Sequence, residues 1–214
     1  MILEPAIDLK DGKVVRLKRG DFDTVHQVAD DPVAVAQAFA AAGAKVIHMV
    51  DLDGAKSGSR VNAAIVKEVA EQSGMRIEMG GGIRSMKTVE SYLSIGVGRV
   101  ILGTAAVKDP DFLKAALQTY GEKIAVGVDL KDGRVAIKGW TETADLTAFD
   151  FFRQMESLGV KTVICTDISR DGAMEGTNGG LYRELSEKFS IDLIASGGVS
   201  SLEDVKALAA MGLH

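Results

Sequence analysis

The feature that most narrows what this chain can fold into is that it nearly repeats itself after half its length. Asp8-Leu9-Lys10-Asp11-Gly12-Lys13-Val14 returns 121 residues later as Asp129-Leu130-Lys131-Asp132-Gly133-Arg134-Val135. Gly81-Gly82-Ile83 returns as Gly197-Gly198-Val199, and Ala44-Lys45 lines up with Val160-Lys161, both at an offset of 116. The five-residue difference falls in the first strand-to-helix connection, which is longer than its counterpart. Around these motifs, short β-branched apolar runs occur at 2–7, 45–50, 76–79, 99–102, 124–128, 162–165 and 193–195. Helix-period stretches separate them at 32–42, 61–72, 86–95, 111–119, 148–158, 180–189 and 202–211. That order argues for βαβ units and a parallel sheet. Two copies of a four-unit block make an eight-unit barrel, so the expected fold is α/β, a (β/α)8 TIM barrel with a two-fold internal repeat. A doubly wound open sheet gives no reason for a half-chain repeat.

Several helices carry their own punctuation: Asp31 before Pro32 with Gly43 after, Ser85 with Gly96, and Ser201 with Gly212. No linker or low-complexity stretch interrupts the series, so residues 1–214 are expected to form a single barrel domain. The 116-residue offset places Gly98 on His214, so the counterpart of residues 99–104 has no place in the chain. The expectation is therefore a barrel lacking its C-terminal βα unit, and the 214 residues compare with about 250 for a typical barrel.

Twenty-five basic against 30 acidic residues, net −5 with no long single-sign run, argue against a nucleic-acid or anionic-membrane surface. The single Cys165 forms no intrachain disulfide, and the N-terminus lacks the order of a signal peptide, so a cytoplasmic protein is expected. No apolar run approaches the ~20 residues of a membrane helix. No histidine, cysteine and carboxylate cluster has metal spacing, and no dinucleotide fingerprint or phosphate loop is present, so neither metal nor cofactor is expected.

In a barrel of this kind chemistry lies at the C-terminal ends of strands. Asp8 and Asp129 each end an apolar run and are related by the repeat. Turn chemistry accounts for Asp11-Gly12 and Asp132-Gly133, but not for an aspartate at a strand end, where desolvation is costly. Two opposed carboxylates suit acid–base work. The segments 80–85 and 196–201, with Gly81, Gly82, Ser196, Gly197 and Gly198, join strands to helices where backbone approaches an anion and helix N–H groups face it. Gly103 and Thr104 complete the first such site. Tight-turn geometry explains one segment better than it explains two related by the repeat. Two phosphate sites flanking two carboxylates imply a long substrate with a phosphate at each end. Arg16 and Arg84 suit phosphate. Thr166 and Asp171 follow the sixth strand, Asp171 within ordinary turn sequence. Asp51 equally caps the next segment, His48 reads as a buried strand histidine as readily as a ligand, and Cys165 reads as packing. Trp140, the only tryptophan, sits in a polar loop where stacking on a flat ring competes with a structural role.

These residues resemble the phosphoribosylformimino-aminoimidazole carboxamide ribotide isomerases of histidine biosynthesis over the whole chain. The resemblance runs through Pro5 to Gly12, Asp51-Leu52-Asp53-Gly54-Ala55, Gly80-Gly81-Gly82-Ile83-Arg84, Val128-Asp129, Thr166 to Gly172 and Ser196-Gly197-Gly198-Val199. It implies a cofactor-free Amadori rearrangement of an aminoaldose to an aminoketose, with a bis-phosphorylated ribonucleotide as substrate and a monomer when the barrel is complete. It also implies that Asp8 is the proton acceptor and Asp129 the usual donor, with Asp171, supported by Thr166, as rival donor. The sister cyclase typically has Cys-Leu-Asp-Val at the first strand and a lysine eight residues past that aspartate. Here the strand reads Ala6-Ile7-Asp8-Leu9 and Arg16 stands at the later position. Two alternatives stand beside the isomerase: a dual-substrate enzyme that also takes phosphoribosylanthranilate, and a non-catalytic phosphate-binding barrel fragment.

Overall fold

The computed structural model describes residues 1–18, 20–137, 142–173 and 175–213, which form an α/β fold rich in parallel strands. They divide into two compact units, one made of Ile2–Arg16 and Val25–Ile124, the other of Met1, Leu17–Thr24 and Ala125–His214.

The chain opens with β1 (Ala6–Lys10), β2 (Lys13–Lys18), β3 (Asp21–Ala29), α1 (Pro32–Ala41), β4 (Val46–Asp51), α2 (Leu52–Ser57) and α3 (Ala63–Gln72). It continues through β5 (Arg76–Gly80), α4 (Met86–Ser94), β6 (Arg99–Leu102), α5 (Thr104–Lys108) and α6 (Pro110–Tyr120). In this first unit β6, β5, β4 and β1 lie side by side and parallel, with β2 antiparallel to β1. Ile7, Leu9, Ile47, Met49, Ile77, Met79, Val100 and Leu102 alternate along these strands and are fully buried, together with Val66, Val69, Val89, Tyr92 and Leu113 of the helices. Each such side chain contributes about 1.5–3 kcal/mol by leaving water.

The second unit contains β7 (Ile124–Lys131), β8 (Arg134–Ile137), β9 (Glu142–Thr147), α7 (Ala148–Ser157), β10 (Thr162–Asp167), α8 (Gly179–Lys188), β11 (Asp192–Ser196) and α9 (Leu202–Ala210). Here β7, β10 and β11 are parallel, and β8 is antiparallel to both β7 and β9. Phe151, Phe152, Met155, Tyr182 and Leu185 of the helices are buried with Val126, Val128, Val163 and Leu193 of the strands.

The caps read from the sequence are in place. Asp31 accepts from Val33 and Ala34 N–H, Ser85 from Thr88 N–H, and Ser201 from Asp204 N–H, while Gly43, Gly96 and Gly212 take positive φ after their helices. The first strand is shifted. Ile2 and Leu3 are exposed and the ladder with β4 begins at Pro5, whose carbonyl accepts from His48 N–H. The larger difference is that Asp11-Gly12 and Asp132-Gly133 do not end strands but fold them back. Both residues of each pair have positive φ, 50° and 78° in one and 52° and 74° in the other. That is the type I′ geometry whose twist matches a two-residue hairpin. β2, β3, β8 and β9 are the additional strands.

Candidate active site

Asp8 is the third of five residues in β1 and Asp129 the sixth of eight in β7, so neither is the last residue of its strand as the sequence suggested. The hairpins carry each strand onward. The parallel ladders nevertheless close one residue later, at Leu9 opposite Asp51 and Leu130 opposite Asp167. Both aspartates therefore sit at the C-terminal end of the parallel pairing, half-buried.

Register defines two rows in each unit. In the first, Asp8 pairs with Val50 and Val50 with Gly80. In the second, Asp129 pairs with Thr166 and Thr166 with Ser196. These six positions are equivalents under the repeat, and residues paired across strands share one face of the sheet. The second row thus sets two hydroxyls beside its carboxylate, where the first has a valine and a glycine. Two residues earlier, the first unit aligns Ala6, His48, Glu78 and Arg99, whereas the second aligns Gly127, Ile164 and Ile194.

The charged row is a connected network. His48 Nδ1 lies 2.6 Å from Glu78 Oε1, and Arg99 donates from Nε and Nη2 to Glu78 Oε2 at 2.9 and 2.6 Å. Glu4 Oε1 stands 3.5 Å from Arg99 Nη2. Burial, reinforced by the charge of Glu78, pushes Glu4 up to about 7. Burial works against ionisation of Glu78 too, but the His48 hydrogen bond and the His48 and Arg99 charges outweigh it and hold Glu78 at about 2. For His48, burial is likewise outweighed by Glu78, Asp8 and Glu4, and its pKa is raised. Of this network the sequence pointed only to His48. The available signal was the repeat itself, which sets Glu78 on Ile194.

Asp51 and Asp167 follow the same logic in their units. Asp51 accepts from Gly54 N–H and from Asn62 N–H and Nδ2, which settles it as a cap. Asp167 accepts from Ser169 N–H and Oγ and from Asn178 Nδ2. Asp53 extends the first set, since its Oδ2 accepts from Asp11 N–H at 2.7 Å and Asn62 Nδ2 at 2.9 Å, while Asn62 Oδ1 accepts from Gly12 N–H at 3.2 Å.

The glycine turns are forced by backbone crowding. A Cβ on Gly81 or Gly82 would meet the Asp51 or Gly54 carbonyl oxygen at 2.3 or 1.9 Å, and on Gly197 or Gly198 the Asp167 or Gly176 carbonyl oxygen at 2.7 or 2.3 Å. All four have positive φ. Arg84 is exposed and donates from Nη2 to the Ala55 carbonyl, 2.9 Å away, lying over the α2 connection. Gly103 precedes α5 and Thr104 opens it, exposed. Arg16 is exposed on β2. Asp171 lies in the turn after β10, where its N–H donates to the Asp167 carbonyl. Ser196, the last residue of β11, accepts at its carbonyl from Tyr182 Oη. Cys165 is fully buried, and burial raises its thiol pKa, as suits a packing residue. Trp140 lies outside the described residues. Among the described residues no three histidine, cysteine or acidic side chains are grouped to hold a metal ion, and no helix is long and apolar enough to cross a membrane.

A family model described as histidine biosynthesis protein matches residues 2–214. The chain belongs to the histidine biosynthesis protein family. Within this family it is similar to a protein of Ruminiclostridium cellulolyticum, 50% identical over 213 residues, covering 100% of this chain and 90% of that one. A Listeria welshimeri protein is 50% identical over 214 residues, covering 100% and 89%. A third, from Acetivibrio thermocellus, is 46% identical over 213 residues, covering 100% and 90%. All three are named 1-(5-phosphoribosyl)-5-((5-phosphoribosylamino)methylideneamino) imidazole-4-carboxamide isomerase.

Proposed function

We propose that this member of the histidine biosynthesis protein family is the isomerase its relatives are named for, converting the aminoaldose ProFAR to the aminoketose PRFAR by acid–base catalysis. The seven parallel strands are read as consecutive units of a single (β/α)8 barrel, with the two aspartate rows at its C-terminal mouth. An acid protonates the ribose ring oxygen, and the ring opens to a protonated Schiff base. A base then removes the C2 proton to give an enolaminol that tautomerises to the ketose. The iminium is the electron sink, so the scheme calls for no cofactor.

The observation that carries the reading is the unequal surroundings of two repeat-related carboxylates. Asp8 sits above a row containing His48 and Arg99, which suits a carboxylate kept ionised as the base. Asp129 sits beside Thr166 and above Gly127 and Ile164, a setting with hydroxyl support. That suits the acid, with Asp171 of the same unit as the other candidate. The phosphates are assigned to Gly81, Gly82, Arg84, Gly103 and Thr104 at one end and to Ser196, Gly197 and Gly198 at the other, with Arg16 assisting and Trp140 stacking on the aminoimidazole ring.

Incubating the purified protein with ProFAR and following PRFAR by chromatography tests the reading, with phosphoribosylanthranilate as a parallel substrate. Turnover of ProFAR is expected, and Asp8→Asn should lower kcat at least ~100-fold with Kd for substrate nearly unchanged. No PRFAR at high enzyme concentration overturns the proposal.

A further inference from the structure

His48 is the one titratable side chain in the charged row that lies on the strand next to Asp8. Asp8 pairs with Val50, and His48 precedes Val50 by two residues on β4, so it faces the same side about 7 Å further down the strand. Its ring is not free to turn. Nδ1 is held 2.6 Å from Glu78 Oε1, and Glu78 is in turn fixed by two donors of Arg99. An ionised carboxylate that accepts at Nδ1 requires a proton there, and it stabilises a second proton on the other ring nitrogen. The charged groups facing the imidazole are Asp8 and Glu4 from the β1 segment, Glu78 from β5 and, through Glu78, Arg99 from β6. Carboxylates thus predominate around the ring, and each favours the cation. With Glu4 protonated, the Glu78 and Asp8 carboxylates still favour the His48 cation.

Resting on the isomerase reading above, we propose that His48 is a positioning residue for proton abstraction: as an imidazolium locked by Glu78 one row beneath Asp8, it keeps Asp8 ionised until substrate delivers its C2 proton. It touches no reacting atom. Arg99 orients Glu78, Glu78 orients and charges His48, and His48 sets the pH below which Asp8 ceases to be a base. The equivalent position in the second unit is Ile164, so no imidazole stands there.

Two measurements test this, and the first needs no turnover. With three histidines in the chain, the His48 imidazole can be assigned in NMR spectra by its loss in His48→Gln. In the intact protein it should titrate above the free value of ~6.5. Asp8→Asn and Glu78→Gln should each lower it by at least about half a pH unit. Titration at or below the free value, or no response to Asp8→Asn, overturns the proposal even if the substrate is different from ProFAR. The second is the pH profile of kcat/KM for ProFAR. His48→Gln should move the acid limb up by about one pH unit while KM on the plateau stays within about twofold. A packing role lowers activity equally at every pH, and an unmoved limb overturns the proposal. If His48→Gln is poorly folded, Glu78→Gln supplies the same limb shift, because it removes the partner that charges the ring.

Discussion

Beneath one aspartate row the molecule places His48, Glu78 and Arg99; beneath the equivalent row it places Gly127, Ile164 and Ile194. The row above is contrasted the other way, with Val50 and Gly80 beside Asp8 but Thr166 and Ser196 beside Asp129. A repeated backbone therefore does not produce two copies of one site. It presents two carboxylates at the same register and lets neighbouring strands decide which meets charge from below and which meets hydroxyls from the side. Such an asymmetry lets one carboxylate hold a proton while the other stays ionised, which is what separate acid and base roles use.

The sharpest way to break the comparison is to remove the carboxylates of the second unit. Asp129→Asn or Asp171→Asn, whichever is the donor, should lower kcat by about 10²–10⁴. Normal turnover in both variants would place the acid elsewhere. Next in size is the lower layer. Glu78→Ala removes a fully buried carboxylate from half-buried His48 and Arg99 and should cost about 3–5 kcal/mol, whereas Ile194→Val at the equivalent position should cost about 0.5–1.5 kcal/mol. Denaturant midpoints at unchanged slope measure both, and equal costs would mean the two layers are energetically alike.

The pH dependence of stability gives a third test. Glu4 is raised from 4.5 to about 7 by burial and by Glu78, so the folded state keeps a proton that the unfolded state has already lost. Its contribution is complete below the unfolded value and disappears as pH rises through about 7. His48, also raised, has the same sign. Glu4→Gln should therefore gain on the wild type by about 2 kcal/mol between pH 5 and pH 8. Parallel stability curves would show that Glu4 does not titrate there. The smallest effect concerns the hairpins. Asp53 ties the Asp11-Gly12 turn to the α2 connection, while its repeat equivalent, Ser169, turns back to Asp167. Asp53→Ser should cost about 1 kcal/mol. It should also speed hydrogen exchange at the Asp11 amide; unchanged exchange there would mean the latch holds nothing.

Much of the scaffold was legible because the parallel strands and longer helices carry strong apolar periodicity, and because the repeat supplied each element twice. β3 gave no such signal, since eight of its nine residues are exposed. The hairpins were read as turns because Asp-Gly chemistry announces a reversal without saying whether strands flank it. The five- and six-residue helices α5 and α2 are shorter than a pattern can establish. Asp8, Asp129, Thr166 and Ser196 emerged from strand ends and repeats, and the register then put three of them in one row. The Glu4, Glu78 and Arg99 network stayed hidden because its members come from segments far apart in sequence: Glu4 ahead of β1, Glu78 on β5 and Arg99 on β6. A charged residue inside an apolar run reveals its partner only when the sheet is assembled.

The two Asp-Gly hairpin turns, at Asp11 and Asp132, also differ in how they age. An aspartyl side chain closes to a succinimide, and reopens partly as isoaspartate, when the amide nitrogen of the following residue attacks its carbonyl carbon. A glycine that follows offers little steric resistance. Gly12 N–H is engaged by Asn62 Oδ1, which restrains that attack at Asp11. Among the described residues Gly133 N–H has no comparable side-chain tie. Of the two hairpins, isoaspartate should therefore accumulate first in the one at Asp132, inserting an extra methylene into the main chain three residues beyond Asp129. The second hairpin is then the one that ages chemically ahead of its repeat partner.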